Sequence, residues 1–202
     1  MLKKILTTSI IAGLFVLVIL LWENPEITQT KPATETQSQA PAANIQNSKT
    51  RQFAATGRLQ YLLVVDKAEQ YLRYNAQNRP LEAKRGYTDL SNPFLTLFSE
   101  QPNQTPWKIT ADHGRAENNG SLITLWGNVV VRKDLETGGE YRLTTDKLDV
   151  KPVEQIAESE SPVSITSPEG IADSVGMRLN MITNITELLS QVTGIYETQP
   201  AP

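Results

Sequence analysis

The sequence predicts an all-β domain held behind one N-terminal apolar span, and three observations carry that prediction. Apolar residues past residue 57 recur mostly at every second position, as in Leu59, Tyr61, Leu63 and Val65, the period of a strand with one buried face. Turn signals such as Asn92-Pro93 and Asn118-Asn119-Gly120 separate these runs. Three stretches also resemble one another: Ala111-Asp112, Thr145-Asp146 and Ala172-Asp173 each open a strand–turn–strand unit. Two of these units end alike, in Leu125-x-Gly127-x-Val129 and Val192-x-Gly194-x-Tyr196. Repetition at this spacing means stacked units that cannot bury their apolar faces alone. Two facing antiparallel sheets, or one rolled sheet, would bury them.

The apolar span comes first in the chain. Lys3 and Lys4 precede an uncharged run from Ile5 to Trp22, and its roughly 18 residues at about 1.5 Å each give about 27 Å, enough to cross a bilayer core. A cleaved signal peptide has a shorter apolar region ending at a small-x-small site, whereas this run ends in Leu20-Leu21-Trp22. Residues 1–22 therefore read as an uncleaved signal-anchor. The lysines stay cytoplasmic, Trp22 lies at the interface, and Glu23 and Glu26 follow outside. An anchor this short suits a bacterial inner membrane.

Residues 23–56 are rich in Gln, Thr, Ala and Pro and cannot bury enough apolar surface to order themselves. They read as a flexible tether spanning about 30 Å, with Pro25, Pro32 and Pro41 opposing a helical stalk. Residues 57–197 form the domain, and 198–202 a disordered tail.

Within the domain, Gly57–Val65 reads as the first strand, and "VVDKAEQYLRY" as a turn followed by a second. "YTDLSNPFLTLF" is a strand interrupted at Asn92-Pro93. "PWKITADHGRAENNGSLITLWGNVVVRKD" is a hairpin turning at Asn118-Asn119-Gly120. "EYRLTTDKLDVKPVEQIAESESPVSITS" is another, turning near Pro152–Gln155, and the series closes with a unit turning near Asn184. One strand raises a question. In "LITLWGNVVVRKD", Ile123, Leu125, Val129 and Val131 point one way, but Leu122, Trp126 and Val130, also apolar, point the other.

Composition excludes several chemistries. A net charge of −3 argues against general nucleic-acid binding. The absence of cysteine excludes disulfides, thiol nucleophiles and Cys-ligated zinc. His113 is the single histidine, and no Ser–His–acid set can be built around it. Asp112 beside it invites a metal or acid–base reading. Asp146 and Asp173 recur at equivalent positions without a histidine, so the structural reading, a turn or cap hydrogen bond, is preferred. Gly127 and Gly194 fit β-bulges or close packing.

The span, the tether, "TGRLQYLL", "SNPFLTLF", "WKITADHGRAENNGSLITLWGNVVV", "YRLTTDKLDV" and "GMRLNMITNITELLSQVTGIYE" together resemble the LptC family of lipopolysaccharide export proteins. The Ala-Asp hairpin unit is shared with the wider set of periplasmic lipopolysaccharide-transport domains. One departure lies at Ser167-Pro168, where the family tends to carry glycine. The resemblance implies an open, twisted β-jellyroll with an apolar interior, no enzymatic activity and no cofactor or metal. It implies a protein that receives lipopolysaccharide from an inner-membrane ABC transporter (LptB, LptF and LptG) and passes it to the periplasmic bridge protein LptA. On this reading one face of residues 122–134 packs as core and the other, with Trp126, lines a groove for acyl chains.

The lipid-facing residues expected are Tyr61, Leu90, Trp126, Thr186 and Leu188. Gly57, Leu59 and Tyr61 mark the edge that meets the transporter, and Leu188, Val192 and Tyr196 the edge that meets the bridge protein. The alternatives are a scaffold that joins partners by β-augmentation without touching lipid, and a tethered enzyme, which the missing catalytic set disfavours.

Overall fold

The structure is a computed structural model, which describes residues 36–37, 40–74, 79, 81, 86–99 and 104–196. The anchor over 1–22 and the tail over 198–202 lie outside the described residues. No described helix is long and apolar enough to cross a membrane. The strands are β1 (Thr36–Gln37), β2 (Ala43–Phe53), β3 (Leu59–Tyr71), β4 (Arg73–Tyr74), β5 (Tyr87–Ser91), β6 (Phe94–Leu97), β7 (Trp107–Thr110), β8 (His113–Glu117), β9 (Leu122–Asp134), β10 (Glu140–Lys151), β11 (Ile156–Ser167), β12 (Gly170–Asn180) and β13 (Ile185–Tyr196). β1 and β4 form a short pair, and the other 11 strands form one antiparallel sheet.

The order of that sheet follows from its hairpins. β13, β12, β11, β10 and β9 lie side by side in reverse chain order. Between β9 and β3, two strands are each broken in the middle: β7 and β6 fill one half of the gap, β8 and β5 the other. β3 spans both halves, pairing with β6 through Tyr61–Val64 and with β5 through Lys67–Tyr71. β2 pairs with the far side of β3.

The breaks belong to a row of irregularities that crosses the sheet. Asn47 in β2 has φ 51°, Asn92 between β5 and β6 has φ 50°, and Gly127 and Asn128 in β9 have φ 75° and 49°. The register shifts between Thr145 and Asp149 in β10, between Ser159 and Pro162 in β11, and between Asp173 and Val175 in β12, opposite Gln191 at φ 49° in β13. A bulge bends its strand and leaves backbone groups unpaired. Neighbouring side chains satisfy several of them. Thr145 Oγ1 donates to the Pro162 carbonyl at 2.9 Å, Ser159 Oγ to that of Lys147 at 2.8 Å, and Ser190 Oγ to that of Val175 at 2.8 Å.

The sequence reading needs correction at two places. "VVDKAEQYLRY" holds no turn: β3 runs unbroken from Leu59 to Tyr71, and Asp66 within it accepts a hydrogen bond from Asn92 Nδ2 at 2.8 Å. The tether expected over 23–56 includes an 11-residue strand, β2. Its side chains are nearly all exposed, so it lacks an apolar pattern, and the ladder to β3 orders it. The other hairpins turn where expected. Gln155 (φ 54°) and Asn184 (φ 58°) supply the left-handed positions. At the glycine-less Ser167-Pro168, Gly170 (φ 147°) takes the conformation instead.

Candidate functional site

Alternation within these strands sends one set of side chains into a single shared interior. Ile123, Leu125, Val129 and Val131 of β9 are fully buried there, with Leu95 and Leu97 of β6, Ile109 of β7, Leu143, Leu148 and Val150 of β10, and Met177 and Leu179 of β12. Gly127 and Asn128 bend β9 without changing this parity, because Leu125 and Val129 point the same way on either side. The core therefore runs continuously from β3 to β12.

A cavity opens at each end of this core. The first, about 280 Å³, is walled by Tyr61, Leu63, Val65 and Ala68 of β3, by Tyr87 and Leu90 of β5, and by Ile45, Ser48 and Thr50 of β2. The second, about 180 Å³, lies between Tyr141, Ile165, Ala172, Thr186, Leu188 and Tyr196. The hydroxyls of Tyr141 and Thr186 share a hydrogen bond at 2.9 Å. Burial pushes the Tyr61 and Tyr141 phenols above the ordinary tyrosine value, opposed in Tyr141 by the bond to Thr186.

Four of the five residues expected to face lipid thus fall at these cavities, Tyr61 and Leu90 at one end, Thr186 and Leu188 at the other. Trp126 does not. It alternates with the buried Leu125 and so lies on the outer face, half-exposed, directly opposite His113 of β8 and Lys147 of β10. Its ring is 6.1 Å from that of His113. The second apolar face of β9 meets such cross-strand neighbours, while the core and these two cavities lie on the inner face.

The two expected edges also differ. Gly57 (φ 80°) sits in the turn joining β2 to β3, Leu59 pairs with Phe53, and Tyr61 points into the first cavity. These three residues do not form a free edge, because β2 occupies it. At the other end, among the described residues, β13 pairs with β12 alone. Leu188 packs against the core, while Val192 and Tyr196 are 53% and 70% exposed. Leu189 and Ile195 are exposed there too.

Two other side chains shape the interior. Asp112 accepts a hydrogen bond from Asn128 Nδ2 at 2.7 Å, and its backbone N–H donates to the Gly127 carbonyl at 2.9 Å. This is the structural role expected of it. Lys133, 8% exposed, donates to Asn184 Oδ1 at 2.5 Å and lies 5.1 Å from the Trp107 ring centroid. Burial lowers its pKa, against the pull of Glu136. Sequence reasoning passed over Lys133, although strand parity after Val131 already pointed it inward.

An open antiparallel sheet, with irregularities in most of its strands, folded around one apolar interior and ending among the described residues in one uncovered strand, is a β-jellyroll. The crystal structure of LptH, the LptA-homologous periplasmic component of the lipopolysaccharide transport device of Pseudomonas aeruginosa, has this fold: TM-score 0.51, 10% identity, 68% of this chain and 95% of that one. Residues 9–197 match the model of the LptC-related lipopolysaccharide-assembly family, and the chain belongs to that family. It is 24% identical over 159 residues to the lipopolysaccharide export system protein LptC of Escherichia coli K12, covering 79% of this chain and 76% of that one. The LptC of Shigella flexneri matches equally. This is a family of lipopolysaccharide-transport components and not of enzymes.

Proposed function

We propose that this protein receives lipopolysaccharide from an inner-membrane ABC transporter and passes it to a periplasmic bridge protein of like fold. Residues 1–22 anchor it in the inner membrane, and the sheet stands in the periplasm. The carrying observation is the continuous apolar inner face, with a cavity walled by Tyr61 and Leu90 at one end and one walled by Leu188 beside the unpaired β13 at the other. Each buried methylene contributes about 0.8 kcal/mol, so a lipid with several acyl chains would face a prohibitive barrier if it crossed water between proteins. Sheets stacked edge to edge keep the apolar path continuous. The uncovered β13 suits this, since backbone ladders supply affinity in strand addition while side chains set register. The transporter docks at the opposite end of the sheet, and the push comes from its ATP hydrolysis.

Photo-crosslinking residues placed in cells at Tyr61, Leu90, Thr186, Leu188 and Trp126 test the path. Lipopolysaccharide adducts are expected from the first four and not from Trp126. Adducts from Trp126 alone, or from no inner position, would overturn this reading in favour of a scaffold that touches no lipid. Truncation after Thr183 is expected to abolish capture of the bridge protein and retain the transporter.

A further inference from the structure

The two ends of the sheet are built differently. Among the described residues β13 leaves one edge unpaired, and it exposes Leu189, Val192, Ile195 and Tyr196. β3 would leave the other unpaired, and its run Tyr61–Val65, "YLLVV", is uncharged and apolar, the composition that makes a bare edge sticky. β2 covers that edge over nearly its whole length. β2 is itself a protected edge. It carries Lys49 and Arg51, and Asn47 at φ 51° interrupts its regular backbone. Charges and bulges of this kind discourage a further strand from adding.

β2 is also held weakly. Only Ala43 and Ser48 along it are even half-buried, so the backbone ladder contributes most of its attachment. Its turn to β3 closes at residues 54–58, while Ala43, the end nearer the N-terminus, pairs with Gln70 at the open end of the hairpin. A pull on the preceding chain therefore first parts the short β1–β4 pair and then opens β2 one pair at a time from Ala43, without shearing the whole ladder at once.

We propose that β2 is an intramolecular cap: it holds the β3 edge closed, so that the unpaired β13 of a second copy of this chain cannot add there. The two edges are different surfaces, so their union is heterologous. Such contacts continue into open-ended stacks unless a rotation happens to close them. β2 breaks that series at the first unit and leaves β13 as the one edge open to a further copy of this chain. This inference does not depend on lipid transfer.

The test uses the full chain in detergent micelles, followed by sedimentation. Ser48→Pro with Lys49→Pro opens the edge: alternate residues of a strand point their N–H to the partner, so one of two adjacent prolines must remove a ladder donor. The wild-type chain is expected to sediment at one fixed mass, and the opened chain at masses that rise with concentration. Adding Val192→Asp and Ile195→Asp to the opened chain should return it to fixed mass. Arg51→Cys with Leu62→Cys, opposed across the ladder in a chain that otherwise lacks cysteine, should lock β2 and hold fixed mass at every concentration when oxidised. An opened chain with intact near-UV circular dichroism and unchanged mass overturns the proposal, as does growth that ignores the β13 aspartates. Should the proline chain not fold, cleavage at a protease site engineered into 54–58 lets β2 leave in mild urea, and a cut domain that has lost β2 yet whose mass does not rise with concentration overturns it equally.

Discussion

Replacing Trp126 with aspartate separates the two faces of β9. If Trp126 lies on the outer face, the change removes a half-exposed ring from its place beside His113, a loss of about 0.5–1.5 kcal/mol for an aromatic pair. The new carboxylate stands directly opposite Lys147, which returns about 0.2–1 kcal/mol. Aspartate is a poor strand residue, at a cost of up to about 1 kcal/mol. The ring's partial apolar burial, about 1–2 kcal/mol, is lost as well, so the net is a destabilisation of about 2 kcal/mol. One residue earlier, Leu125 is fully buried. Leu125→Asp forfeits about 1.5–3 kcal/mol of apolar burial and places a carboxyl without a partner in the core, several kcal/mol more. That sum is on the order of a whole domain's stability of about 5–15 kcal/mol. Urea unfolding of the full chain in detergent, read by near-UV circular dichroism, checks the pair. Trp126→Asp should fold with a lower midpoint, and Leu125→Asp should show no cooperative transition. An unfolded Trp126→Asp chain, or a folded Leu125→Asp chain, would refute the parity assigned to β9.

Other expectations follow from the same geometry. Gly127→Ala and Gly57→Ala share a positive φ cost of about 1 kcal/mol, but a Cβ at Gly127 would lie 3.0 Å from Asp112 Oδ2 while none meets anything within 4 Å at Gly57. Gly127→Ala should therefore be the costlier in urea unfolding, with the excess absent in an Asp112→Gly background, since the Cβ of residue 112 would itself lie 3.1 Å away. Burial raises the folded-state pKa of Tyr61, so its contribution is fully present below the unfolded value of 10.0 and is lost as pH rises through the folded value; Tyr61→Phe should lessen the stability lost above pH 10. For Lys133, whose folded pKa is lowered, the penalty of burying its charge is present at neutral pH and relieved as pH rises toward 10.5; Lys133→Met should flatten that rise in a pH series of unfolding midpoints.

What the sequence disclosed depended on which physical signal each element carries. The hairpins were legible because Asn118-Asn119-Gly120, Asn92-Pro93 and Asn184 mark left-handed or broken backbone whatever packs around them. β2 was not, because a strand held mainly by its ladder needs no apolar period, and "ANIQNSKTRQF" has none. "VVDKAEQYLRY" read as a turn and a strand, yet Asp66 within it lies in β3, and its exposed carboxylate serves Asn92 where β5 gives way to β6. The site was half legible. Tyr61, Leu90, Thr186 and Leu188 lie at cavities while Trp126 lies on the outer face, and bulk on a strand does not say which side is inside when both sides carry apolar residues. Likewise, Val192-x-Gly194-x-Tyr196 looked like a copy of Leu125-x-Gly127-x-Val129, yet Gln191 and not Gly194 carries the left-handed backbone in β13.

The row of irregular residues from Asn47 to Gln191 acts as a crease, and a crease carries phase information. A flat ladder lets an incoming strand slide by two residues and still find backbone partners with its side chains on the proper faces. A creased ladder does not: unless the newcomer bends where β13 bends, half its length diverges from the surface and its hydrogen bonds there are forfeited. The defect that shapes the sheet thereby becomes a vernier, admitting strands that break at the same station and rejecting apolar strands that do not. Selectivity among edge-binding partners can then reside in the position of one bulge, with no side chain at the junction dedicated to it.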